Sequence, residues 1–246
     1  MAGLAAPALL AAWESARTSW QHGQVPHWDE RNATLLRAFG RPVPDPIGAR
    51  QAALLGVYAD NFAERLSGLA TCPGCDTEVE LDVAVAELTG AGSPVAELTG
   101  AGSPAADLEP LQLDGRAVRW RLPAGEDLAA AAECADAAEG ALLLASRCLV
   151  DPAPVTPDLR EVLARRIAAA DPLSEISFAM ACPACGQRWD SSLDIGEFVW
   201  RRLEAAAWRL LREVDELARC YGWSEPQILA LSPARRQAYL ELVRDG

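Results

Sequence analysis

A chain of 246 residues, half of them hydrophobic, has enough apolar material for one large domain or two small ones. All its basic side chains are Arg, and a formal charge of −13 argues against binding bare nucleic acid, which needs a positive face. No stretch reads as a membrane span: the most apolar one, Leu128 to Val150, is interrupted by Glu133, Asp136, Glu139 and Arg147.

Leu4 to Ala16 reads as the first helix. Its first positive charge, Arg17, comes after the apolar run rather than before it, so the expectation is a buried or amphipathic helix of a cytoplasmic protein and not a secretory signal. His27 to Phe39 is a second short helix stopped by Gly40, and "GRPVPDPIG" is a Pro-rich connection. Ile47 to Arg65 forms a third, with Ala52, Leu55, Tyr58 and Phe62 near one stripe. A Cys-Pro-x-Cys hook follows. After it, Glu78, Glu80 and Asp82 alternate with Val79, Leu81 and Val83, the period of a half-buried strand. The ten residues "VAELTGAGSP" at 85–94 then recur unchanged at 95–104. Two such short copies cannot build a solenoid, and their Gly, Ser and Pro content predicts a flexible, tolerant surface loop.

Ala117 to Leu122 is a strand, and Gly125 to Val150 is mostly helical, with a break expected near Gly140. After the linker "DPAPVTP", Thr156 caps a helix that has Pro157 in its first position and runs to about Ala170. Leu173 to Ala181 leads as a strand into a second hook, and Gln187 to Ile195 leads out. The long C-terminal helix carries Val199, Leu203, Ala206, Leu210, Val214, Leu217 and Tyr221 on one stripe. Its other face offers Arg209–Glu213, Arg212–Glu216 and Asp215–Arg219 as i,i+4 pairs. Trp200 and Trp208 lie off the stripe, on one side. Gly222 stops the helix, Ser224 to Gln227 opens a short one, and Ser232-Pro233 starts the last.

The expected fold is therefore α+β and mostly helical, with a small zinc-ribbon-like β core and a long C-terminal amphipathic helix. Its parts are an N-terminal helical region (1–66), a core made of 67–84 and 174–196, an inserted strand and helical subdomain (85–173) carrying the duplicated loop 85–104, and C-terminal helices (197–246).

The chemistry of the sequence is concentrated in the hooks. A Cys-x-x-Cys turn presents two sulfurs on one side of a tight loop, which is half of a tetrahedral zinc site. Cys72, Cys75, Cys182 and Cys185 are thus expected to hold one structural Zn²⁺. Pro stiffens each turn, and Asp76 and Gly186 occupy the position where a left-handed residue is needed. Cys182 lies 107 positions after Cys75, far beyond the spacing of compact paired knuckles, so the metal is expected to clasp distant parts of the chain. Two redox pairs, an iron–sulfur cluster or four unliganded thiols are the competing readings. Cys134, Cys148 and Cys220 read as core thiols. A catalytic zinc would need an open position with His or carboxylate among its ligands, and His22 and His27 are the only imidazoles. There is no phosphate loop, no G-x-S-x-G elbow and no H-E-x-x-H. Glu14, Asp60, Asp190 and Glu197 read as solvated. The chain is not expected to be an enzyme.

The string "EVDELARCYGWSEPQILALSPARRQAYLELV" places Tyr221, Trp223, Ser224, Glu225, Ile228, Leu229, Arg235, Arg236, Tyr239 and Leu240 in a pattern of its own: a long helix ending in an aromatic, Trp-Ser-Glu, Ile-Leu, then an Arg-Arg-x-x-Tyr-Leu helix. It resembles the T4-type baseplate hub assembly protein family of contractile phages and phage-tail-like contractile injection systems. "PALLAAWE" (7–14), the two hooks, "VRWRLPAGEDLAAA" (118–131), "LLLASRC" (142–148) and Leu193-Asp194-Ile195 fit in order. The resemblance implies no catalysis. It implies a structural or assembly, chaperone-like role with baseplate hub, spike or wedge proteins as partners. Trp and Arg are favoured at interface hot spots, so Trp223, Ile228, Arg235 and Tyr239 are the candidate partner-binding surface, with a finished core as the bland alternative. A zinc-ribbon adaptor in transcription or another nucleic-acid process is the second functional reading, and a metal-dependent hydrolase the third.

Overall fold

A computed structural model describes residues 4–21, 28–89, 108–113 and 115–245 of the chain. Both His residues and most of the duplicated segment fall outside them. Three N-terminal helices, α1 (Ala6–Gln21), α2 (Trp28–Ala38) and α3 (Ile47–Asn61), lead into a hairpin of β1 (Arg65–Thr71) and β2 (Glu78–Ala84). A short α4 (Val85–Thr89) follows. The next unit holds a small hairpin, β3 (Leu111–Leu113) with β4 (Arg116–Val118), then α5 (Gly125–Ala132), α6 (Ala137–Cys148) and α7 (Pro157–Ala170). A third hairpin, β5 (Ser177–Ala181) with β6 (Arg188–Ser192), precedes α8 (Ile195–Tyr221), α9 (Glu225–Leu229) and α10 (Pro233–Asp245).

Three apolar clusters organise these elements. The main one joins α1, α2 and α3 to the first half of α8 through Trp13, Leu36, Tyr58, Ile195, Val199 and Leu203. A second gathers Leu111, Val118, Trp120, Cys148, Leu159 and Leu163 from the segment between the two Cys hairpins. A third, around Val214, Leu217, Ile228 and Leu240, closes α9 and α10 onto the far end of α8. Helix α8 thus threads two cores, because its apolar stripe never lapses over 27 residues.

Several boundaries differ from the sequence expectation. The third helix ends at Asn61 and not Arg65, because Arg65 already pairs with Ala84 in β1–β2. The strand expected over Ala117–Leu122 shortens to β4, with Trp120 making one isolated bridge to Leu149. The break within 125–150 falls at 133–136, where the Asp136 carboxylate caps α6 by accepting from the Glu139 N–H. Gly140 lies inside α6, and a methyl group there would meet the Ala131 carbonyl at 2.8 Å, so the glycine serves close helix packing and not a break. Of the duplicated segment, the first five residues are helix α4, with Val85 buried and Leu88 packed on the main core. They are not loop, because the motif's two aliphatics face the core.

Each Cys hairpin sits in the same local frame. One constant shift in numbering carries the start of α3 to that of α7, Cys72 to Cys182, Cys75 to Cys185, and the start of α4 to that of α8. The same shift turns the register of β1–β2 into that of β5–β6, Thr71↔Glu78 becoming Ala181↔Arg188. Buried positions follow: Leu66 and Ile176 precede the hooks, Val85 and Ile195 follow them, and all four enter the main core. The chain contains a helix–hairpin–helix unit twice, with little sequence in common outside the hooks.

Polar side chains fix where helices begin. The buried Asp171 accepts from the Gly48 N–H at 2.9 Å, capping α3 from the end of α7, where the N-cap Pro46 has no side-chain acceptor to do so. Asp29 and Arg50, both buried, form an ion pair beneath the start of α5.

Candidate metal centre

The hooks lie at the tips of the β1–β2 and β5–β6 hairpins, in the six-residue connections 72–77 and 182–187. In the first, the Cys72 N–H donates to the Thr77 carbonyl at 2.9 Å and the Asp76 N–H to the Cys72 carbonyl at 3.0 Å. In the second, the Cys182 N–H donates to the Gln187 carbonyl at 2.8 Å and the Gly186 N–H to the Cys182 carbonyl at 3.0 Å. This pattern forces the residue after the second Cys into the left-handed region. Asp76 has φ 59° and Gly186 φ 74°, as the sequence spacing requires.

The tips meet. All four Sγ atoms lie within 4.8 Å of one another. Between hooks, Cys72 Sγ is 3.7 Å from Cys185 Sγ, and Cys75 Sγ is 3.6 Å from Cys182 Sγ. A tetrahedron of thiolates around zinc, at about 2.3 Å each, has edges of about 3.8 Å, so the donors fit such an ion. Cys72 and Cys182 are buried while Cys75 and Cys185 face solvent, which closes the site on its inner side.

Electrostatics favour a cation among the four sulfurs. The Thr77 hydroxyl and N–H hold the Cys75 thiol down at about 6, and the Thr77 oxygen lies 3.2 Å from its sulfur. The Cys185 N–H holds the Cys182 thiol down against its burial. The Gln187 N–H favours the Cys185 thiolate, yet the neighbouring thiols, Cys75 first, push it up to about 12. Sulfurs this close cannot all ionise unless a cation stands among them. The Gly74 N–H also points at Cys72 Sγ, at 3.4 Å. Thr77 and Gly74 were not singled out from the sequence; their positions two residues after a Cys were the available signal.

The other cysteines separate. Cys148 is a buried core thiol, and burial raises it to about 11. Cys134 is half-buried at the end of α5, and Cys220 is exposed, so neither is the core thiol the sequence suggested. Among the described residues no other group of His, Cys, Asp and Glu gathers in metal-binding distance.

At the C-terminal end, Trp223 stacks on Tyr221 with ring centroids 4.6 Å apart, and Tyr239 meets the Trp223 ring edge-on at 4.9 Å. Arg235 lies over Tyr239 at 5.8 Å and is exposed. Ile228 is completely buried beneath, in the third core, so it supports this aromatic patch and presents nothing to a partner. Trp200 is buried in the main core, whereas Trp208 is 43% exposed against Trp13. Of the three ion pairs expected along α8, Arg219–Asp215 forms; Glu213 and Glu216 turn instead to Arg236 and Arg244 of α10. No helix among the described residues is long and apolar enough to cross a membrane. No family model, no curated protein and no solved structure matches the chain.

Proposed function

We propose that this chain is a non-enzymatic structural or assembly protein of a contractile injection system or phage-tail-like baseplate, stapled by one structural Zn²⁺. Cys72, Cys75, Cys182 and Cys185 hold the metal, and with four thiolates it has no open position for substrate. When bound, the ion supplies cohesion and no chemistry.

The observation that carries the reading is the C-terminal unit. The residues of the baseplate-like pattern converge there: Tyr221, Trp223 and Tyr239 form one aromatic patch, and Arg235 borders it on the solvent side. Aromatics flanked by Arg suit a hot spot. Hub, spike or wedge proteins are the partners in this reading.

The test is co-expression with the hub, spike and wedge proteins of such a particle, followed by affinity purification. The expected result is a stoichiometric complex with one of them. It is lost in the Trp223→Ala/Tyr239→Ala variant, whose circular dichroism and zinc content match the parent. Failure of the intact protein to join any of them overturns the reading. Metal analysis after chelator-free purification is expected to give one zinc per chain.

A further inference from the structure

The solvent side of α8 carries a second stripe. Arg201, Ala205, Trp208, Arg212, Asp215 and Arg219 follow one another at helical spacing, and all are exposed. Two cations on this line are already neutralised, Arg201 by Glu197 and Arg219 by Asp215. Arg212, and the exposed Arg209 beside it, are not. The acids four residues further on, Glu213 and Glu216, turn away to Arg236 and Arg244 of α10. Among the described residues no carboxylate stands within ion-pair distance of Arg209 or Arg212. On a chain with a formal charge of −13, two neighbouring cations left without a counter-charge are a local exception.

Trp208 lies between these cations and the N-terminal half of the helix, and it is 43% exposed. Its ring is braced: it meets the buried Trp13 edge-on with centroids 5.8 Å apart, and Arg17 lies over that same Trp13 ring at 4.8 Å. A large ring fixed against the core and open to water offers apolar area with little rotamer freedom left to lose. Trp flanked by Arg is also the composition of an interface hot spot.

We propose that this face of α8 docks an acidic amphipathic helix of a protein partner. An aliphatic side chain of that helix covers Trp208. Its carboxylates, one turn apart, meet Arg209 and Arg212, which are separated by about 4.5 Å along the axis. Excluding water at Trp208 strengthens the charge-assisted bonds beside it. A nucleic acid suits the face less, since it needs a run of cations and the remaining charge of the chain repels it. Trp208 is about 20 Å along α8 from Tyr221, so this surface is separate from the C-terminal aromatic patch and does not depend on the baseplate reading.

The experiment is fluorescence anisotropy on the full chain with a labelled peptide of about fifteen residues that carries Leu on one helical face and Glu on the other. Saturable binding is expected, with an affinity at least about tenfold weaker in Arg209→Gln/Arg212→Gln and in Trp208→Ser. Both arginines are exposed and pair with no acid, so the double variant is expected to keep the parent melting temperature. The same peptide with Lys in place of Glu is expected not to bind. Equal affinity of parent and arginine variant overturns the proposal. So does binding of a single-stranded oligothymidylate at least as tight as that of the peptide, which would make the face a general anion site. A concentration-dependent dimer in analytical ultracentrifugation that Trp208→Ser abolishes overturns it too, because the occupant would then be a second copy of the chain.

Discussion

A single buried carboxylate shows how much depends on one side chain. Asp127 is fully enclosed, and it accepts from Arg121 at 2.6 Å, Arg147 at 2.6 Å and the Ala124 N–H at 2.9 Å. Burial alone would raise its pKa, but these partners outweigh it, Arg121 most, and bring the carboxyl down to about 2. A carboxyl depressed in the folded state contributes stability that is present above its unfolded value and lost as pH falls through the folded one. The contribution is about 2 kcal/mol at neutral pH, and denaturant titrations should show it fading between about pH 4 and pH 2. Asp127→Asn is expected to cost about 2–4 kcal/mol at pH 7 and to flatten that part of the pH profile. Ile228→Ala should cost a similar amount by opening a cavity in the third core, measurable as a lower urea midpoint. The four clustered thiols were legible because two turns of the same Cys-Pro-x-Cys form point to a shared site. The Asp127 cluster was not, since Arg147 reaches it from another helix and no local pattern marks the pair.

Among the elements, legibility followed periodicity. Helix α8 was readable because an apolar stripe unbroken over so many turns fits a buried helix face and little else, and α7 because Thr156 and Pro157 mark its start. Two of the three ion pairs expected along α8 do not form because Glu213 and Glu216 face a neighbouring helix, and an inter-helix partner outcompetes one on the same face, whereas Asp215–Arg219 forms as expected. Gly140 misled for a related reason: a glycine in a helical run marks a break or a close contact, and only the packing decides which. Its contact with the Ala131 carbonyl leads to a definite expectation. Gly140→Leu should lower stability by about 1–3 kcal/mol through forced separation of α5 and α6, although Leu is the better helix former. A thermal melt of the variant checks this, since a mere break at Gly140 would instead make the substitution stabilising.

For the whole molecule, the repeated helix–hairpin–helix frame explains why distant cysteines converge. Both hairpins enter the main core through equivalent aliphatics, so their tips are aimed at each other before any ion arrives. The repeat itself was hidden, because outside the hooks the two copies share burial and not residue identity. An ion there closes a loop between positions 107 apart, and a cross-link of that span is worth about 4–5 kcal/mol by restricting the unfolded chain. Chelation is therefore expected to lower the melting temperature by more than about 10 °C, the size of that term for a chain of this length. Far-UV circular dichroism should stay helical, since the apolar clusters remain. Protease cleavage should appear first at the two hooks. Unchanged melting after verified metal loss would show that the ion contributes little.

Helix α8 also has a mechanical consequence. Its first half is held in the main core as far as Leu210, and Tyr221 at its end stacks on Trp223 just beyond. From Leu210 to Tyr221 it makes a stiff arm of about 16 Å, so each degree of tilt in the main core swings the tip by about 0.3 Å. Whatever tilts the main core is thus felt at the aromatic rings.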